Sequence, residues 1–222
     1  MKYLPLPFII IFSFFTCVVF SQKAAIIPHN NPDFVPGKKI IFEDRFKNSR
    51  SGEFPDGWNL ISGKGVVNKF QGANVFLLTD GNYAKVAPHF KDDIILPDTF
   101  TIEFDFNLMD GAFPLAVFFP NENGTNRLFL WGPDVETGYI TSHLTGKNPE
   151  GSDHFYNKWH HAALSCESGQ IKCYIDQYKV LVIPNCGFAP TKVLFGGVAS
   201  PEIPLAFTNV RIASGVKSEE QK

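Results

Sequence analysis

Apolar and polar side chains alternate in short runs along most of this chain, and no segment carries a long apolar repeat of 3.6-residue period. The clearest runs in the first half are Lys39–Asp44, Gly65–Phe70, Asn74–Leu78, Tyr83–Ala87, Phe100–Met109 and Leu115–Phe119. Those that follow are Arg127–Trp131, Tyr139–His143, Trp159–Ser165, Ile171–Ile175, Lys179–Ile183, Lys192–Phe195 and Ala206–Ala213. About a dozen short strands at this spacing, punctuated by turn residues, predict an all-β sandwich. Asp80-Gly81, between two of the runs, predicts a hairpin. The best-patterned strand sets Phe100, Ile102, Phe104, Phe106 and Leu108 against Thr101, Glu103, Asp105 and Asn107. One face of it is core, and the other is wet or lines a site.

The pattern also divides the chain. Lys2, the apolar run Leu4–Phe20 and then Ser21-Gln22 have the layout of a cleavable export signal, so residues 1–22 are read as a signal peptide. Residues 23–38, rich in Pro and Asn and without period, read as a flexible leader. The sandwich domain occupies 39–213, and the charged segment 214–222 is a disordered tail. This organisation implies a secreted, periplasmic or outer-membrane-associated protein with no membrane span in the mature chain.

Composition narrows the class further. The 222 residues are 44% hydrophobic and 19% charged, enough apolar material for one large core. The 23 Phe and the many Gly and Pro suit strands and tight turns. With a net charge of −2 and scattered Lys and Arg, the chain has no basic stripe, which excludes nucleic acid as a partner. Beyond the export segment stand Cys166, Cys173 and Cys186. A Gly169-Gln170 turn would set Cys166 opposite Cys173, and a disulfide and buried free thiols both remain open.

Three stretches resemble the concanavalin A-like lectin/glucanase and laminin-G-like jelly rolls: Phe100-Thr-Ile-Glu-Phe-Asp-Phe106, Trp159-His-His-Ala-Ala163 and Gln170-Ile-Lys-Cys-Tyr-Ile-Asp176. The resemblance covers roughly 39–213 and implies a jelly-roll β-sandwich of two antiparallel sheets. Ile41-Phe-Glu-Asp-Arg-Phe46, Gly52-Glu-Phe-Pro-Asp-Gly-Trp58 and Asn209-Val-Arg-Ile-Ala213 are similar to the domain preceding the peptidoglycan-binding part of Bacteroidetes OmpA-family proteins, which implies an envelope location. Two departures stand out. Gln177 replaces the usual Gly after the hairpin Asp, and no peptidoglycan-binding domain is expected within these residues, so only fold and location are carried over from the resemblance.

Candidate chemistry falls into two groups. Glucan-cleaving relatives carry a nucleophile Glu, an Asp and an acid/base Glu on one strand, where this chain reads Glu103, Asp105, Asn107. An amide at the third position cannot protonate a leaving oxygen, so no enzyme is expected, and the three residues become candidate ligand contacts or a solvated face. Trp131, Tyr139 and His143, with Phe155, Tyr156, Asn126 and Asp134 nearby in sequence, suit a platform on which pyranose rings stack, or else are strand-end core residues. Trp58 and Trp159 begin strands and read as core caps.

Adjacent His160 and His161 point to opposite strand faces and cannot share a metal ion. No cofactor is expected from the residues; the resemblance implies calcium at a rim, where Asn121, Glu122, Asn123 and Asp134 offer oxygen ligands. Asn123-Gly-Thr125 is a glycosylation sequon. The function expected is a non-catalytic glycan-binding module. A protein-interaction or structural component of the cell envelope, with an envelope protein as partner, is the alternative, and a divergent glycoside hydrolase the third reading.

Overall fold

A computed structural model describes residues 33–91, 95–121, 124–138, 143–153 and 155–215. Tyr139, Glu122, Asn123, the export segment and the charged tail from 216 lie outside them. The strands of the first half are β1 (Lys39–Asp44), β2 (Trp58–Phe70), β3 (Ala73–Pro88), β4 (Thr99–Asn107), β5 (Leu115–Asn121), β6 (Gly124–Leu130) and β7 (Asp134–Gly138). The second half supplies β8 (Thr145–Lys147), β9 (Trp159–Glu167), β10 (Gln170–Ile175), β11 (Tyr178–Ile183), β12 (Leu194–Ala199) and β13 (Leu205–Ser214). Every pairing is antiparallel, in the order β11-β10-β9-β4-β13-β3-β12-β5-β6-β7-β8, with β1 on β13 and β2 on β3. The protein is an all-β jelly-roll sandwich of antiparallel sheets.

The hinge between the layers is β3. Its Leu78 lies opposite Leu205 of β13, and its Gly81 opposite Ala199 of β12, so one strand serves both sheets. The Asp80-Gly81 hairpin expected from the sequence is therefore corrected to a bend. Pairing with β2 continues on both sides of it, Lys64 with Asp80 and Ser62 with Lys85, and the chain cannot reverse. Gly63 makes the crossing feasible, because a Cβ there would lie 2.6 Å from the Asp80 carbonyl oxygen. The far edges meet where β11 packs on β8, which closes the sandwich.

The core explains the Phe-rich composition. Trp58, Phe46, Phe76, Phe195 and Phe207 pack ring against ring, with Trp58 5.6–5.8 Å from each of the other centroids. The Trp58 indole N–H donates to Asp44 Oδ2 at 2.9 Å, so the ring is buried without an unpaired donor. Trp58 is the core residue the sequence suggests. Trp159 instead lies outside the main core, in a small cluster with Phe70, Val75, Leu77 and Ala206.

The β9–β10 turn is Ser168-Gly169, both at positive φ (47° and 83°), as a type I′ turn requires. This corrects the Gly169-Gln170 turn: Cys166 faces Ile171 and Cys173 faces Leu164, so the two are not direct partners. All three cysteines are buried; Cys166 and Cys173 are free thiols, and Cys186 Sγ donates to the Phe188 carbonyl at 3.0 Å. Burial pushes Cys173 up to about 12, and burial with the neighbouring Cys186 and Cys173 raises Cys166 as well.

The polar face of β4 is covered rather than wet. Thr101 and Asn107 are fully buried and Asp105 is 9% exposed. Residues 33–37 form no strand but cross this face. Gly37 N donates to Thr101 Oγ1 at 3.0 Å, and Arg211 bridges the Gly37 carbonyl oxygen and Glu103 Oε1, both at 2.6 Å. Phe34 packs on Tyr174 at 5.3 Å, and the Tyr174 hydroxyl donates to the Asp33 carbonyl. Burial, with lesser help from Asp33 and then Cys173, pushes the Tyr174 phenol up to about 12. Because the folded value lies above the usual 10, the stabilisation is intact below pH 10 and is lost as pH rises toward 12. Unfolding measured across that window should show the loss in the native chain and a smaller one in Tyr174→Phe; identical profiles would refute the assignment.

Candidate functional site

The outer face of the β12-β5-β6-β7 layer, together with the second half of β3, carries an unusual set of side chains. Along β6 and just beyond it, Leu128 and Leu130 enter the core, so Arg127, Phe129 and Trp131 face outward by strand alternation. Register aligns them with neighbouring strands in two rows. One runs Lys85, Gly196, Ala116, Phe129, Glu136, and the next Leu194, Phe118, Arg127, Gly138.

Cations and rings interleave across these rows. The Arg127 guanidinium lies 5.1 Å from the Phe129 ring centroid and 5.4 Å from that of Tyr83. Lys85 Nζ lies 5.1 Å from Phe118 and 6.0 Å from Tyr83. Trp131 extends the series, 6.2 Å from Phe129. Each cation is held over an aromatic face by the ring quadrupole. Gly138 provides the floor, since a Cβ there would stand 2.8 Å from the Phe129 ring and 3.0 Å from Arg127 Cγ.

Two members remain open to solvent, Trp131 at 43% and Tyr83 at 36%. Trp131 is positioned through its backbone: its N–H donates to the Asp134 carbonyl at 2.9 Å, and its own carbonyl accepts from the Tyr156 hydroxyl at 3.3 Å. Tyr83 sits at φ 63°, a conformation that a bulky residue adopts only under constraint, and Ser62 Oγ donates to its carbonyl at 2.7 Å. At the rim, His143 Nδ1 lies 3.5 Å from Glu136 Oε1.

Beside this ladder the same face deepens into a half-open cavity of about 680 Å³. Its apolar lining includes Ala87, Leu194, Pro120, Ile61, Phe90 and Ile95. The polar lining is Asn59, His89 and Lys192. A volume of several hundred Å3 with apolar walls and a few polar groups is the usual form of a small-molecule site.

The residues singled out from the sequence are thus split between two faces. Trp131 and His143 stand at the ladder; Tyr139 falls outside the described residues. Asn126, 8% exposed, and Phe155, 5% exposed, are buried, and Phe155 stacks on His160 at 3.6 Å. Glu103, Asp105 and Asn107 occupy the other outer face, each already engaged. Glu103 pairs with Arg211. Asp105 bonds His161 Nδ1 at 2.8 Å and accepts from Asn209 Nδ2. Asn107 Nδ2 donates to Gln71 at 2.9 Å.

His160 meets Asp176 and the Phe155 carbonyl, whereas His161 meets Asp105, so the adjacent imidazoles diverge. Among the described residues no three His, Cys, Asp or Glu side chains are grouped to hold a metal ion. The sequence reading missed Tyr83, Lys85, Arg127 and Phe129. The alternation Arg127-Leu-Phe-Leu-Trp131 was a usable signal for the last two and Trp131, but nothing local links them to Tyr83.

No family model matches the chain, and no curated protein does. Among solved structures, a sialidase superposes with a TM-score of 0.57 at 18% identity over 80% of this chain, which spans 19% of that protein. The carbohydrate binding module CBM66 from Bacillus subtilis gives 0.52 at 17% identity over 71% of this chain and 96% of that one. A protein of unknown function with a galectin-like fold, also from Bacillus subtilis, gives 0.57 at 12% identity, covering 83% of this chain and all of that one (100%). At these identities the likeness is one of fold.

Proposed function

We propose that this protein is a non-catalytic glycan-binding module, acting outside the cytoplasm, that engages its ligand on the ladder face. The observation that carries the reading is the open, backbone-anchored Trp131 at the end of the Tyr83–Arg127–Phe129 series. Pyranose rings present C–H faces that pack on an indole, while Arg127, Glu136 and His143 stand within the same rows or at their rim to meet hydroxyls. The carbohydrate-binding module among the structural neighbours supports this use of the fold. The export-type segment 1–22 supports an extracytoplasmic setting, and among the described residues no helix is long and apolar enough to cross a membrane. Against catalysis stands the occupation of Glu103 and Asp105 by Arg211, His161 and Asn209, which leaves neither poised as a free acid or nucleophile.

Binding to a broad polysaccharide panel, with and without calcium and followed by assay for released reducing ends, tests the reading. Saturable binding without release is expected. Trp131→Ala should weaken it by about tenfold, the equivalent of one lost stacking contact near 1.4 kcal/mol. Glu103→Gln, on the opposite face, should leave it unchanged. Silence across the panel, with a stable protein partner recovered instead, would move the assignment to an interaction role in the envelope.

A further inference from the structure

The ladder and the cavity are built by the same strands. β3 contributes Lys85 to the first and Ala87 to the second; β5 contributes Phe118 and then Pro120; β12 contributes Gly196 and then Leu194. Residues two apart on a strand share a face and lie about 7 Å apart, so the two features are adjoining halves of one surface. Lys85 marks the join, its ammonium over the Phe118 ring at 5.1 Å.

Their chemistries differ. The ladder alternates rings and charges, which suits a hydroxylated ligand. The cavity wall is largely aliphatic, with Ile61 55% and Ile95 64% exposed at its opening. A sugar in that cavity would exchange water for walls that offer its hydroxyls few partners, at a desolvation cost. An aliphatic chain entering it would instead remove apolar surface from water on both sides.

We propose that the ligand is an amphipathic glycan, one that carries an acyl or alkyl substituent, with the sugar on the ladder at Tyr83 and Trp131 and the apolar group in the cavity. The proposal rests on the glycan-binding reading and names the class of glycan. Lys85, whose ammonium stands at the join, is placed to meet the ester or glycosidic oxygens there.

Matched methyl and octyl β-glucosides, β-galactosides and β-mannosides, below their micelle concentrations, provide the probes, with 1-octanol as the sugar-free control. For at least one sugar the octyl form should bind at least tenfold tighter than the methyl form and than octanol. Ile95→Asp, a change at an exposed position, should abolish the octyl preference and spare methyl glycoside binding; Ile61→Asp repeats the test from β2. Trp131→Ala should weaken both forms. Equal affinity of methyl and octyl forms overturns the inference while the glycan reading stands. So does octanol binding as tightly as an octyl glycoside, because the cavity then acts apart from the sugar. Failure of the methyl glycosides and of the whole polysaccharide panel overturns the underlying reading itself.

Discussion

Trp58→Ala is expected to destabilise the domain by about 3–5 kcal/mol, the range for truncating a large buried aromatic. Trp58 touches five phenylalanines drawn from β1, the segment after it, β3, β12 and β13, so its removal opens a void at the point where both layers converge. The surrounding rings are fixed by their own strands and cannot collapse into it. A second contribution comes from Asp44, which loses the indole donor and keeps only the Phe46 backbone N–H, bonded to its other oxygen at 2.7 Å. At the size of this domain the loss corresponds to a fall in melting temperature of roughly 10 °C. Trp58→Phe, which keeps most of the volume but not the N–H, should cost less than half as much. Chemical denaturation of the three proteins side by side decides it; a change below about 1 kcal/mol in Trp58→Ala would mean the aromatic cluster is not the keystone of the core.

Asp105→Ala is the second large effect, at about 3 kcal/mol, the upper end of the loss when buried donors are deprived of their acceptor. The carboxylate accepts from His161 on one oxygen and Asn209 on the other, with Asp105 and His161 side chains only 12% and 15% exposed. Asn209 sits at φ 51° in an irregularity of the β4–β13 ladder, and its bond to Asp105 helps hold that conformation. Truncation leaves two donors facing a void and the strained backbone without its anchor. Asp105→Asn retains one acceptor and should lose about half as much. The measurement is the denaturation midpoint at constant slope. A midpoint unchanged in Asp105→Ala would show that the network is dispensable, and retained glycan binding in the same variant would confirm that this face stands apart from the ligand.

These two cases also show how legibility in the sequence was distributed. The alternation of Phe100 to Leu108 identified β4 and its core face correctly, because burial of every second residue is a local property of a strand. The fate of its other face was not legible. Whether Glu103, Asp105 and Asn107 meet water depends on residues 33–37, on Gln71 and on Arg211, all remote in sequence. Asp80-Gly81 misled for the same reason. A Gly after Asp is a turn signal only when the flanking runs pair with each other, and here both pair with β2 instead.

The candidate site repeats the pattern. Trp131 and His143 were singled out for their chemistry, but the ladder they join needs Tyr83 and Lys85, some 45 residues earlier, brought alongside by β12 and β5. What the sequence determined by itself was the class: an all-β chain with a Phe-rich core, short alternating strands and a jelly-roll resemblance, since side-chain period and turn residues act over a few positions. The tertiary structure alone decided which outward residues share a face, which are covered, and that an apolar cavity adjoins an aromatic and cationic ladder. Strand order and register are set by contacts between distant segments, and a surface site is a property of that order rather than of any one strand.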